Sequence, residues 1–355
     1  MRTTRQDAVI RCAVVGLGRA GWANHFLPLS RREDTKIVAV VDPLPERRAE
    51  AEAVVACKSY SSLGRLLTQQ DDLDVVAVAT PSHLHGRDTR KCLKATHHVV
   101  VEKPMAMTLA EADSMIRAAQ EVDRKLFVFQ NYRFSPLFSH LEQTIRSGIL
   151  GRVYHIRCHQ AQFARRNDWQ TLAKFAGGVL NNVCIHYLDA LMVLIGAPVV
   201  DVMGDLQQIA SPGDVEDHAK IFLKADNGCT ADLEISYAQN IADNYPKWVV
   251  CGTCGTLMSD GETSTIRYFD PGAVSPLAIN DGAAPNRAYG NDDVLPWQEK
   301  VVPAIGPDRS SYYDNVTGVL LRDEPMRVTP ESVRERVRVI AAVRKGTRFA
   351  RSVKR

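Results

Sequence analysis

Along the first 130 residues one pattern repeats: a short apolar run, a polar break, then a longer stretch with helical spacing. Val9–Val15, Lys36–Asp42, Asp74–Ala79, Val99–Val101 and Leu126–Phe129 are the apolar runs. Asp74–Ala79 is apolar at every position after its first, as a strand covered by helices on both faces requires. Between the runs, Ala20–Arg31, Pro45–Ala56, His85–Ala95 and Thr108–Val122 have helix composition. Thr108 followed three residues later by Glu111 predicts a capping box at the start of the last of these. Strand–helix alternation with short links predicts a parallel, doubly wound α/β sheet.

The rhythm changes after Phe134. Pro136–Ser147 reads as a helix stopped at Gly148, and Arg152–Phe163 alternates like an antiparallel strand. One strong helix, Val179–Leu194, interrupts a series of strands at Val199–Ile209, His218–Lys224, Thr230–Tyr237, Lys247–Cys251 and Thr263–Tyr268, which predicts a mainly antiparallel sheet. Asp270–Asp308 is rich in Gly, Pro, Asn and Asp without periodicity, a composition suited to a lid, an arm or an interface loop. Thr329 and Pro330 mark the N-cap and first position of a terminal helix. The division expected is a first domain over 1–134, a second over 135–345 and a basic tail over 346–355, with no internal repeat.

At 355 residues, two domains are the natural expectation. Lys and Arg number 44 against 41 Asp and Glu, interspersed, which argues against a nucleic-acid partner. Ala8–Val15 is too short for a secretory core or a membrane span, so a cytoplasmic protein without a membrane partner is expected. Six of the eight cysteines are scattered as small hydrophobes. Cys251 and Cys254 have the spacing of a metal or redox pair, but no second pair or histidine follows, so a strand turn is expected and no metal.

The candidate chemistry lies where strands end. Gly16-Leu17-Gly18-Arg19-Ala20-Gly21 directly follows the first strand, the position in which glycines let backbone approach a pyrophosphate at a helix N-terminus. Asp42 closes the second strand, where a carboxylate accepts from both adenosine ribose hydroxyls and repels a 2′-phosphate. NAD is therefore favoured, with Arg47 and Arg48 leaving NADP open. Thr80, Pro81, His83 and His85 follow the central strand and are expected to line the cofactor cleft. Glu102-Lys103-Pro104 closes the strand at Val99–Val101, placing an amine at its mouth.

These motifs, with Phe129-Gln130-Asn131-Tyr132-Arg133-Phe134 and the segment Ala176–Asp189, resemble the Gfo/Idh/MocA family, the glucose–fructose oxidoreductase and inositol dehydrogenase group, over nearly the whole chain. The resemblance implies an N-terminal Rossmann domain and a C-terminal α/β domain with a large open, mainly antiparallel sheet that mediates homodimers or homotetramers. It implies an NAD(P)-dependent dehydrogenase acting on a secondary hydroxyl of a sugar, sugar derivative or cyclitol, with Lys103 and His186 as catalytic residues beside the nicotinamide. Glu102, Asn131, Trp169 and Gln170 fall at its cofactor positions, Arg133 at its domain junction, and Tyr313 is a candidate for the substrate pocket. Asn182 stands where the family pattern carries aspartate, and Cys184 where it carries glycine. Residues four apart share a helix face, so Asn182 and His186 can meet one substrate. An amide holds a hydroxyl but accepts no proton, which shifts the proton to Lys103 and His186. A non-catalytic NAD-binding regulator, or a redox-neutral enzyme that recycles a tightly bound nicotinamide, are the alternatives.

Overall fold

Six strands build the first sheet: β1 (Ile10–Val15), β2 (Thr35–Val41), β3 (Lys58–Tyr60), β4 (Val75–Val78), β5 (His98–Val101) and β6 (Leu126–Val128). The computed structural model describes residues 8–242, 245–279, 281–283, 287, 293–306 and 311–353. The strands are all parallel in the order β3-β2-β1-β4-β5-β6. Strand order reverses between β1 and β4, which opens a crevice at their carboxyl ends. The register pairs Val15 with Val78, Val78 with Val101 and Val101 with Val128. Gly16, Ala79, Glu102 and Phe129 therefore emerge side by side along that crevice.

Helices α1 (Leu27–Ser30), α2 (Pro45–Val54), α3 (Leu63–Gln69), α4 (His85–Lys94) and α5 (Leu109–Glu121) connect these strands. The expected helix at Ala20–Arg31 begins as a wider π-type turn over Gly21–Phe26 and becomes α-helical only at Leu27. β3 and α3 went unread in the sequence, because three residues and seven are too few to show a period. The capping box is half formed. Thr108 Oγ1 accepts from Glu111 N, but the Glu111 carboxylate accepts from Met107 N at 3.0 Å instead of the cap residue.

After α6 (Pro136–Arg146) come β7 (Val153–Ala161), the apolar helix α7 (Ile185–Ile195), β8 (Val199–Gln207), β9 (His218–Ala225), β10 (Thr230–Ser236), β11 (Trp248–Gly252), β12 (Gly255–Ser259), β13 (Thr263–Tyr268) and β14 (Gln298–Pro303). They form one sheet in the order β14-β13-β12-β11-β7-β10-β9-β8, antiparallel throughout except that β7 and β10 run parallel. Arg152–Phe163 alternates like an antiparallel strand, which holds for the β11 side of β7 and not for the β10 side. Alternation reports which face is buried, not which way the neighbour runs. Cys251-Gly252-Thr253-Cys254 is the β11–β12 turn, with both thiols free. In the irregular stretch Asp270–Asp308, Gln298–Pro303 is an edge strand, while 280, 284–286, 288–292 and 307–308 lie outside the described residues.

Two hydrophobic cores result. α7 packs on β7 and β10 in the second. Helix α8 (Tyr312–Arg322), the link after it and the start of α9 (Pro330–Arg344) return to the first, contributing Tyr312, Tyr313, Val316, Val319, Val328 and Val333. The chain division expected at 134/135 is thus crossed in space by residues 312–333. Of the expected basic tail, Phe349 packs into the second core and residues 354–355 lie outside the described residues. The segment Ala173–Ile195 is long and apolar enough to cross a membrane, and 72% of its apolar window is buried inside this fold.

Candidate active site

The glycine turn is built by close packing on two sides and openness on the third. Gly16 has φ +93°, and a Cβ there would lie 2.5 Å from the Ala79 carbonyl oxygen. At Gly21 a Cβ would sit 1.7 Å from Gly16 O. Gly18 differs: the nearest atom to a Cβ is Arg47 Nη1 at 3.9 Å, so its backbone faces free space. Asp42 is buried behind this turn. Its Oδ2 accepts from Leu17 N at 2.8 Å and its Oδ1 from Leu44 N at 3.0 Å, with Arg47 Nη1 3.5 Å from Oδ2.

At the end of β5 the chain turns through a cis Lys103–Pro104 peptide. Glu102 is 3% exposed, with Asn24 Nδ2 donating to Oε1 at 2.8 Å and Lys103 N to Oε2 at 3.0 Å. Burial pushes this carboxyl up, but the His25 bond and charge, Lys103 and Asn24 together hold it down to about 2. The Lys103 amine points across the crevice and donates from Nζ to the Asn182 carbonyl oxygen at 2.8 Å. Burial lowers its pKa, opposed by Glu102 and assisted by Arg19.

The facing wall comes from the second lobe. Gly178 has φ +97°, and a Cβ there would meet the buried Glu216 carboxylate at 2.3 Å. That carboxylate accepts from Leu180 N at 3.2 Å and lies 3.6 Å from Arg344 Nη2, so the start of the apolar helix carries a buried acid and base. From there Asn182 and His186 project. Asn182 Nδ2 donates to Gln170 Oε1 at 2.7 Å, and Gln170 Nε2 returns a weaker bond to Asn182 Oδ1 at 3.4 Å. His186 Nδ1 is buried without a hydrogen-bond partner. Burial first, then the Lys103 charge, push the imidazole down to about 4. His186 opens onto a cavity of about 400 Å³ shared with Asn131, Tyr132, Phe134, Ser135, Val183 and Tyr187.

Residues 10–130 match the GFO/IDH/MocA oxidoreductase family, NAD-binding Rossmann fold, and residues 138–258 match the GFO/IDH/MocA C-terminal domain. The chain belongs to the Gfo/Idh/MocA family. A 1-carboxy-3-chloro-3,4-dihydroxycyclo hexa-1,5-diene dehydrogenase of Comamonas testosteroni is 31% identical over 247 residues, 68% of this chain and 61% of its own length. This chain therefore aligns with less than two thirds of that relative. The scyllo-inositol 2-dehydrogenase (NAD(+)) of Bacillus subtilis is 27% identical over 254 residues, 70% of this chain and 73% of its own. An NAD-binding protein of Listeria innocua superposes with a TM-score of 0.79 at 26% identity, covering 94% of this chain and 93% of that one.

The residues of this Gfo/Idh/MocA chain fit NAD, its family's cofactor. Gly18 leaves a cradle that a side chain would fill, and the Thr80 hydroxyl is a buried polar atom without a partner at the same strand edge. Arg19 and Ala20 lie on the turn after β1 and Pro81 follows β4, and exposed His83 packs at a tilt against Phe175 of the other lobe with 5.6 Å between ring centroids. Trp169 is 44% exposed next to Gln170.

Four expected contact residues sit behind the cleft instead, among them Asp42, 2% exposed with both carboxylate oxygens accepting from backbone N–H groups where ribose hydroxyls were expected. Tyr313 is 3% exposed, its hydroxyl committed to His25, because α8 belongs to the first core. His85 is buried with Nδ1 2.8 Å from Pro104 O and Nε2 2.8 Å from Thr80 O, which ties two loops together. Glu102 has both carboxylate oxygens engaged inside the fold. Arg133 grips Asp189 with two bonds, at 2.7 and 2.6 Å, while Arg336 Nε reaches the same carboxylate at 2.7 Å. The sequence reading missed His25, Asn24 and the Glu216–Arg344 pair. Nothing in their spacing marks them, since each meets its partner through the tertiary fold.

Proposed function

We propose that this protein is an NAD-dependent dehydrogenase that interconverts a secondary hydroxyl of a sugar, sugar derivative or cyclitol with the ketone or lactone. The observation carrying this reading is the Lys103 Nζ–Asn182 O contact of 2.8 Å, which brings the amine of the first lobe onto the segment that leads to His186 in the second. Bound NAD supplies the hydride acceptor or donor. Gly16, Gly18, Arg19, Ala20 and Gly21 hold its pyrophosphate end, and Asp42 disfavours a 2′-phosphate. Lys103 binds the reacting oxygen and moves its proton. Its partly desolvated amine keeps the neutral form accessible. His186 stays a neutral imidazole at physiological pH, able to accept or relay that proton. Asn182, clasped by Gln170, orients a hydroxyl without titrating. Tyr132, Phe134 and Tyr187 supply apolar walls with a few polar groups among them, which suits a neutral polyhydroxylated ring. The names of both relatives, a dihydroxycyclohexadiene dehydrogenase and an inositol dehydrogenase, support a ring hydroxyl as the target.

Pairing through the open sheet is part of the same proposal. Met203, Phe222, Met258 and Val301 are exposed and fall on one cross-strand row of that sheet. The test of the chemistry is direct. Lys103→Ala, assayed with NAD on a panel of cyclitols and sugars by absorbance of the reduced cofactor, should lose about 10²–10⁴ in turnover while keeping NAD affinity. Near-normal turnover overturns the assignment.

A further inference from the structure

Behind Lys103 runs a buried polar chain that the catalytic reading leaves unused. Tyr313 Oη lies 2.5 Å from His25 Nδ1, His25 Nε2 lies 3.2 Å from Glu102 Oε1, and Glu102 Oε2 accepts the Lys103 N–H. An ionised carboxylate only accepts, so His25 Nε2 carries the proton facing it. In either charge state Nε2 keeps that proton: Nδ1 accepts from the Tyr313 hydroxyl in a neutral ring and donates to the Tyr313 oxygen in an imidazolium. The Phe129 ring packs 4.6 Å from the His25 ring and closes one side of the chain. Apolar side chains would fill this space at lower desolvation cost. What the polar chain adds is a carboxylate that cannot turn.

The groups that act electrostatically on Lys103 or feel its charge, among the described residues, are Glu102, Arg19, His186 from α7 and His85 from α4. Arg19 disfavours the ammonium, and burial drives both histidines toward the neutral form. Glu102 is the fixed anion of the set. We propose that His25 and Tyr313 are positioning residues that pin Glu102 as an ionised carboxylate beside Lys103 and so set how readily that amine releases its proton. The consequence for turnover rests on the dehydrogenase reading; the titration of Lys103 itself does not. Without the ring donor, burial drives Glu102 toward the neutral acid, and the neighbouring ammonium loses its stabilising charge.

The experiment is trace labelling of the NAD-free protein with acetic anhydride from about pH 6 to about pH 11, the range spanning ordinary lysine titration. Acetylation of the Lys103 peptide is read by mass spectrometry, with thermal unfolding followed alongside. Glu102→Gln should lower the Lys103 midpoint by about one pH unit, giving roughly tenfold faster labelling at a fixed pH below it. His25→Leu should move it the same way by less, and His25→Gln, which keeps an N–H near the Nε2 position, should move it back. Tyr313→Phe removes one oxygen and leaves the packing in place; it too should lower the midpoint. An unchanged midpoint in His25→Leu and Tyr313→Phe, with only the melting temperature reduced, makes the pair ordinary core and overturns the proposal. Normal turnover in Lys103→Ala would remove the dehydrogenase reading and leave this titration standing, so the two failures are distinguishable.

Discussion

Asn182 changes what its neighbours must do. With no carboxylate at that position, the charges acting on His186 are the unfavourable Lys103 and the weaker, favourable Glu102 and Asp189, and burial dominates all of them. The imidazole is therefore neutral until the pH falls toward about 4. If turnover needs neutral His186, the acid limb of its pH profile lies nearer 4 than the 6.5 of an unperturbed ring. Asn182→Asp would set an anion one helical turn away, favour the imidazolium and move that limb upward. A limb that stays put in Asn182→Asp, measured as turnover against pH, would show that residue 182 does not act on His186. The residue identities at this site were legible in the sequence, since lysine, asparagine and histidine each stand in a recognisable motif. Their protonation states were not, because desolvation is a property of the surroundings and not of the spacing.

The helix bearing Asn182 and His186 depends on how it starts. Its first turns widen to a π-type geometry over Leu180–Cys184, and Leu180 N is satisfied by Glu216 from outside the helix. Glu216 is itself held where burial raises its pKa and Arg344 opposes that. Gly178 is required twice, by its positive φ and by the carboxylate that occupies the place of a Cβ. Gly178→Ala should therefore cost about 2 kcal/mol or more in urea unfolding, combining backbone strain with displacement of a buried cap. Loss of less than about 0.5 kcal/mol, the range of a neutral surface change, would show that the acid relaxes freely. The paired glycines at 177 and 178 were visible as a motif, while Glu216 was an unremarkable acid before a strand. It gained its role only when β9 brought the preceding loop over the helix start.

Across the whole molecule, the proposed catalytic geometry requires that two cores keep their relative positions. Asp189 of α7 is completely buried between Arg133, just beyond β6, and Arg336 of α9, so one carboxylate joins the end of the first sheet, the apolar helix and the terminal helix. The two guanidiniums overcome burial and hold its pKa below the usual carboxylate range. Asp189→Asn would leave two buried cations facing an amide. It should destabilise the protein by about 3–5 kcal/mol in chemical denaturation, as breaking a buried pair does. Unchanged stability would mean that the junction is held by packing alone.

The local code of this chain determined a good deal unaided. Valine-dense runs, their helical links and the Gly16–Gly21 turn specify a doubly wound sheet with a nucleotide crevice, because period and turn chemistry act over a few residues. The tertiary structure alone decided that α8 returns to the first core and takes Tyr313 away from the substrate. It also decided that β7 runs parallel to β10, and that His25, Glu216 and Arg336 find their partners. Those contacts join residues far apart in the chain, and their energies come from burial and paired charge in space, which no short-range pattern encodes.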